Sequence, residues 1–257
     1  ARQYFYNKGV KRSKLIAFDE AFHGETFGAM AASGDHNFFR AFQDDLFEVW
    51  RIPAPVDEAK SQQALAQLEA HLNTGEVYAF LFEPLVLGAG GMLMYPPAVL
   101  AKMQAICAAH GTLFIADEVM TGWGRTGTLT ACEQAGVVPD IMTLGKGITG
   151  GYLPLSATVT TDRVYDAFYD PCDGNKTLFH GHTFAGNPIC CAAAMASLKI
   201  FDSEPVLERV RQRAAFLAAL LHEVFAGHPW VGEIRQQGLM VGLELVRDRT
   251  TREPFPS

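Results

Sequence analysis

A chain of 257 residues, 49% hydrophobic and 19% charged, can bury one large core and is composed like a globular protein rather than a disordered one. Its formal net charge of -7 gives no electrostatic reason to approach nucleic acid, whose phosphates are held mainly by clustered Lys and Arg; a small anionic cofactor held by local groups stays compatible with it. No apolar run approaches the ~20 residues of a membrane span and the first residues lack the apolar centre of a signal peptide, so the expectation is a cytoplasmic protein with no membrane partner.

In chain order, Leu15–Phe18, Val77–Phe82, Thr112–Ala116, Ile141–Leu144 and Leu155–Thr160 read as strands, with amphipathic stretches between them. Pro97–His110 places Val99, Met103 and Ile106 at helical spacing, with Pro at the start and Gly111 past the end. Such strand, helix, strand units predict an α/β fold: a mostly parallel sheet flanked by helices, with ligands beyond the carboxyl ends of the strands. The pattern is helical from Pro188 to Ala226, broken near Ser203-Glu204-Pro205, with Leu207, Val210, Ala214, Leu217, Leu221 and Val224 as a stripe expected to pack on the core. Past Gly227 two strands are expected, the start of a smaller α+β domain. The expected division is 1–202 for the large domain and 203–257 for the connecting helix and the second domain.

The five cysteines (Cys107, Cys132, Cys172, Cys190, Cys191) include no C-x-x-C pair, and reduced, mostly buried thiols are expected. Ala1 in place of an initiator Met, and an end at Pro254-Phe255-Pro256-Ser257 straight after the strand-like run Met240–Val246, read as a piece of a longer protein.

Two constellations carry chemistry. The strand Thr112–Ala116 ends in Asp117 and Glu118, and the strand Ile141–Leu144 ends in Gly145-Lys146-Gly147. Alone, each is better read as a capping or salt-bridged acid or as a surface lysine in a glycine turn. Together they suit pyridoxal phosphate, which needs a carbonyl-trapping lysine and an acidic partner for its pyridinium nitrogen. The flanking glycines are expected to clear room for a planar ligand beside Lys146.

A rival reading takes Gly122-Trp123-Gly124-Arg125-Thr126-Gly127 as a dinucleotide-binding turn of a nicotinamide-dependent dehydrogenase. The following Thr128-Leu129-Thr130-Ala131-Cys132 opens no apolar-periodic helix, and no acid lies at the expected strand end about twenty residues on. His180 and His182 lack neighbouring ligands, so no metal site is expected. Gly181-His182-Thr183 is read instead as a loop ahead of the helix at Pro188, where amides and the Thr183 hydroxyl are suited to a phosphate.

Phe22-His23-Gly24-Glu25-Thr26, Glu83-Pro84, Ala116-Asp117-Glu118-Val119, Gly122–Gly127, Gly145-Lys146-Gly147 and His182-Thr183-Phe184 together resemble the class III (fold type I) pyridoxal-phosphate-dependent aminotransferases, over essentially the whole chain. The resemblance implies that Lys146 holds the cofactor as a Schiff base and is the catalytic residue, that Asp117 pairs with the pyridine nitrogen, and that Val119 and Phe22 flank the ring. Glu83 would stand in the polar network behind Asp117, with His23 and His182 also at the cofactor. Thr183 would bind the phosphate, in this family usually that of the partner subunit of a homodimer. Phe22 stands where tyrosine is often found and lacks its hydroxyl.

Gly88-Ala89-Gly90-Gly91-Met92, Gly150-Gly151-Tyr152-Leu153-Pro154-Leu155, Phe179–Phe184, Arg235–Gly238, Glu244–Val246 and Glu253–Pro256 are most similar to the family members that aminate 8-amino-7-oxononanoate in biotin biosynthesis. The implied partners are a small amino donor, S-adenosylmethionine or lysine, and that keto acceptor. The alternatives are another ω-aminotransferase of the family, or an inactive fragment that only dimerises. The resemblance further implies a phosphate-binding loop before residue 1 and a substrate-carboxylate arginine beyond residue 257.

Overall fold

The computed structural model describes residues 1–34, 37–171 and 174–256, with Asn37 described by its backbone only. The chain runs α1 (Arg2–Asn7), β1 (Lys14–Phe18), α2 (Phe27–Ala32), a 3-10 stretch (Asn37–Asp45), β2 (Trp50–Ile52), α3 (Glu58–Leu72) and β3 (Val77–Phe82). A small hairpin, β4 (Val86–Leu87) and β5 (Leu93–Met94), precedes α4 (Pro97–Ala109), β6 (Leu113–Asp117), β7 (Ile141–Leu144), a 3-10 turn (Lys146–Thr149), β8 (Ala157–Thr160) and α5 (Asp162–Tyr165). Two long helices, α6 (Pro188–Ser203) and α7 (Val206–Phe225), lead to β9 (Val231–Gln237), β10 (Met240–Asp248) and β11 (Glu253–Pro254).

The central sheet has the order β2-β1-β3-β6-β7-β8, parallel throughout except for the antiparallel edge strand β8. Both faces of its middle strands are apolar, as a parallel sheet between helix layers requires. In β6, Phe114 and Ala116 join the cluster of Phe18, Phe80, Phe82, Leu100 and Met103, whereas Leu113 and Ile115 face that of Tyr4, Phe5, Leu15 and Tyr78. Fully burying side chains of this size stabilises by roughly 1.5–3 kcal/mol each, so the sheet interior carries most of the fold.

Local signals set the helix ends. Asp57 caps α3 by accepting the Lys60 N–H at 2.8 Å, Pro97 opens α4, and Gly111 takes φ +59° just beyond it. The break between α6 and α7 falls at Glu204 and Pro205.

β2 is not visible in the sequence, because three residues, Trp50-Arg51-Ile52, carry no period. Arg51 nevertheless anchors it, donating to the carbonyls of Phe18, Ala31, Ala32 and Ser33. The α7 stripe departs from expectation: Leu221 is buried, Leu207, Val210, Ala214 and Leu217 are half-buried, and Val224 is exposed. The helix packs on α6 and β9 along one side and leaves the rest of its surface, Phe216 and Leu220 included, open. Cys107 and Cys132 are buried thiols, and Cys190 and Cys191 are half-buried ones; Cys172 lies outside the described residues.

The second sheet has the order β11-β10-β9. Arg235 on β9 binds Glu233 and Glu244 on its own sheet and donates to the Gly91 and Met92 carbonyls of the β4–β5 hairpin. The expected boundary at residues 202 and 203 falls at the end of α6. None of the described helices is long and apolar enough to cross a membrane.

Candidate active site

β1, β3, β6 and β7 stand side by side, and the expected site residues follow their carboxyl ends. Phe22 and His23 come after β1, Glu83 directly after β3, Asp117 as the last residue of β6, and Lys146 after β7. Residues far apart in sequence therefore share one edge of the sheet.

Asp117 is the most constrained of them. The register of β6 and β7 makes Thr143 its partner, and the Thr143 hydroxyl donates to Asp117 Oδ1 at 3.0 Å. The Val119 N–H reaches the same oxygen at 3.2 Å, and Oδ2 lies 2.8 Å from His23 Nδ1. The two side chains are 11% and 3% exposed, so these bonds replace most of the water a carboxylate would otherwise bind. His23 Nε2 is buried without a partner among the described residues. Asp117, His23, Val119, Thr143, Leu144 and Ser156 line a cleft of about 560 Å³.

Glu83 supports this arrangement from behind. Oε1 accepts the Phe22 N–H at 2.9 Å, Oε2 accepts the Gly88 N–H at 3.0 Å, and its backbone carbonyl accepts the Tyr95 hydroxyl at 2.7 Å. Burial pushes its carboxyl above the usual range, the two N–H bonds and His23 pull it back, and Asp117 adds to the rise. The Phe22 ring stacks on Phe39 at 6.0 Å between centroids.

Sequence reading gives no individual role to three residues. Thr143 is legible only once the register is known. Glu118 is fully buried on the opposite side of the strand end from Asp117, where it accepts the Cys132 N–H at 2.9 Å and the Thr121 hydroxyl; burial raises its pKa. It therefore pins the loop after β6. The third is Trp123. The glycines around Lys146, expected to clear room for a ligand, are occupied by protein. A Cβ on Gly145 would lie 3.3 Å from a Val119 methyl, and one on Gly147 would lie 2.8–3.0 Å from three Trp123 side-chain atoms. The turn needs glycine because residues of the preceding loop fill that space. Lys146 itself is exposed, at φ +44°, and does not line the cleft at Asp117.

His182 and Thr183 are not brought to this cluster. They lie in an exposed stretch, with the His180 and His182 rings edge-on at 5.1 Å. The N-terminus of α6 is capped by Asn187, whose Oδ1 accepts the Ile189 and Cys190 N–H groups at 3.0 and 3.2 Å. Those two amides are taken by the cap. The Gly122–Gly127 loop opens no helix either: it leads to a 3-10 turn at Ala131–Ala135 capped by Thr130 and Glu133.

A mostly parallel sheet with an acid and a lysine on neighbouring strand ends is the class of fold and site defined here. The sequence matches the class-III aminotransferase family over residues 1–256, and the chain belongs to that family. It is 42% identical over its full length to the adenosylmethionine-8-amino-7-oxononanoate aminotransferase of Aquifex aeolicus and 46% identical over 97% of its length to that of Synechococcus elongatus, covering 59% of each. The crystal structure of the Methanocaldococcus jannaschii protein of the same name superposes with a TM-score of 0.93 at 38% identity, covering 99% of this chain and 58% of that one. The chain thus spans about three-fifths of the length of these relatives.

Proposed function

We propose that this chain is the cofactor-bearing part of a pyridoxal-phosphate-dependent aminotransferase that converts 8-amino-7-oxononanoate to 7,8-diaminononanoate, works as a homodimer and resides in the cytoplasm. The observation that carries the reading is the buried Asp117 carboxylate, held by His23, Thr143 and Val119, one strand away from Lys146. The names of the relatives support the substrate.

The residues fit the cofactor. A carboxylate in a cleft, bonded on both oxygens and with no Lys or Arg ion pair among the described residues, suits a cationic ring nitrogen, and an exposed amine on the next strand end suits a carbonyl. When bound, pyridoxal phosphate supplies a carbonyl that an amine traps and a ring that accepts the electron pair left at a substrate carbon when its proton departs. Asp117 would hold the protonated ring nitrogen, with His23 and Thr143 fixing that carboxylate in place. Val119 and Phe22 would flank the ring. Lys146 Nζ would hold the cofactor through its carbonyl and, as a free amine, would move the proton of the donor's α-carbon.

His182 and Thr183 would serve a cofactor phosphate across a subunit interface, a role that their exposure supports. Residues 1–202 would form the large domain and 203–257 the link to a smaller one. Because donor and acceptor use one site in turn, the kinetics are ping-pong, with parallel double-reciprocal lines.

The test is borohydride reduction of the purified protein with pyridoxal phosphate, followed by peptide mapping. Label on Lys146, lost in Lys146→Ala, is the expected result. Absence of label from this chain and from a version extended at both ends overturns the reading.

A further inference from the structure

Among the described residues only six other than glycine adopt positive φ, and two of them, Trp123 at +62° and Lys146 at +44°, lie in loops that touch. Such backbone is unfavourable for residues with a Cβ and persists where surrounding packing imposes it. The packing here is specific. Trp123 Cβ, Cγ and Cδ1 lie against the Cα of Gly147, the residue after Lys146, and the Trp123 ring centroid is 6.2 Å from that of Phe201 on α6.

The Trp123 loop is itself held from three directions. Its backbone N–H donates to the Leu129 carbonyl at 2.7 Å. A Cβ on Gly124 would lie 3.1 Å from Leu207 of α7, and the Arg125 carbonyl accepts the Leu239 N–H at the β9–β10 turn at 2.8 Å. The indole N–H is buried with no partner among the described residues. What the described residues give the ring is packing, against Gly147 on one side and Phe201 on the other.

We infer that Trp123 is a positioning residue for the aminotransferase reaction: its indole, wedged against Gly147, holds the left-handed turn that aims the Lys146 amine. The inference rests on the proposed function for its purpose, but the coupling between the two loops stands on this packing alone. Trp123→Ala opens the wedge. Trp123→Phe keeps most of the bulk and removes the orphaned N–H, so it folds and rescues. Gly147→Ala, at a backbone position outside the left-handed region, presses on the indole from the other side.

The experiment has two readouts. In the cofactor-free protein, the acylation rate of Lys146 relative to Lys199 is followed by peptide mapping for wild type, Trp123→Phe, Trp123→Ala, Gly147→Ala and Trp123→Ala/Gly147→Ala. With pyridoxal phosphate added, the circular dichroism of the cofactor band reports the orientation of the bound ring. Trp123→Ala and Gly147→Ala each change relative Lys146 acylation by about fivefold or more, Trp123→Phe by less than about twofold, and the double variant departs from additivity by about fivefold, as contacting residues do. The cofactor-band dichroism falls in the same order.

Wild-type acylation in folded Trp123→Ala, or additive effects in the double variant, overturns the inference. Should Trp123→Ala not fold, a wild-type Lys146 rate in Gly147→Ala overturns it equally. Coupled acylation rates with no cofactor attached to Lys146, either in this chain or in a version extended at both ends, would overturn the proposed function and leave the coupling in place.

Discussion

Thr143 and Asp117 are register partners on adjacent parallel strands, and the hydroxyl of the first donates to the carboxylate of the second at 3.0 Å. Together with His23 on the other oxygen, this bond fixes the plane of the acid on which the proposed chemistry depends. Thr143→Val keeps the shape and removes the donor. A hydrogen bond to a charged group contributes about 1.5–3 kcal/mol, so cofactor binding weakens by roughly tenfold or more. Equilibrium dialysis checks this; Thr143→Ser restores binding, and wild-type affinity in Thr143→Val rules out a role for the hydroxyl.

Glu83 makes stability depend on pH in a stated direction. Its folded pKa is raised, chiefly by burial, above an unfolded value of about 4.3. The folded protein therefore holds this proton more tightly than the unfolded chain does. The group's contribution to stability is fully present below the unfolded pKa and is lost as pH rises through the folded one. Glu83→Gln removes the titration. Its melting temperature relative to wild type rises as pH is taken from about 4 to 7, on top of a constant loss from placing an amide NH2 near the Phe22 or Gly88 N–H. A pH-independent difference between the two proteins contradicts this.

Gly238 brings the β9–β10 turn of the second sheet against the loop after β6. It takes φ +63°, and a Cβ there would lie 2.4 Å from both the Arg125 carbonyl oxygen and the Thr126 carbonyl carbon. Backbone cannot give way as a flexible side chain would. Gly238→Ala should destabilise by about 3 kcal/mol, combining left-handed strain with overpacking. Gly9→Ala is the control, since Gly9 has φ +70° but nothing within 4 Å of the added carbon; about 1 kcal/mol is expected there from strain alone. Chemical denaturation distinguishes the two, and equal losses mean that the close approach carries no weight.

Most of the fold is legible in the order of the residues. The runs Val77–Phe82 and Ile141–Leu144 are strands with those bounds, α4 starts at its proline, and the α6–α7 break falls where Ser203-Glu204-Pro205 marks it. What escapes is short or one-sided. β2 is three residues long, β11 two, and the apolar stripe of α7 is only partly covered. Gly145 and Gly147 do signal that space beside Lys146 matters, but Val119 and Trp123 fill it where a ligand is expected.

The sequence by itself determined the alternation of strand and helix and the standing of Asp117 and Lys146 at successive strand ends, because hydrophobic period, helix caps and glycine turns are local and act within a few residues. Only the tertiary structure decided that Thr143 faces Asp117, that His23 closes on its other oxygen, that Glu118 turns inward, and that Trp123 fills the space at Gly147. Those relations depend on strand register and on close approach between segments distant in the chain, and nothing local encodes either.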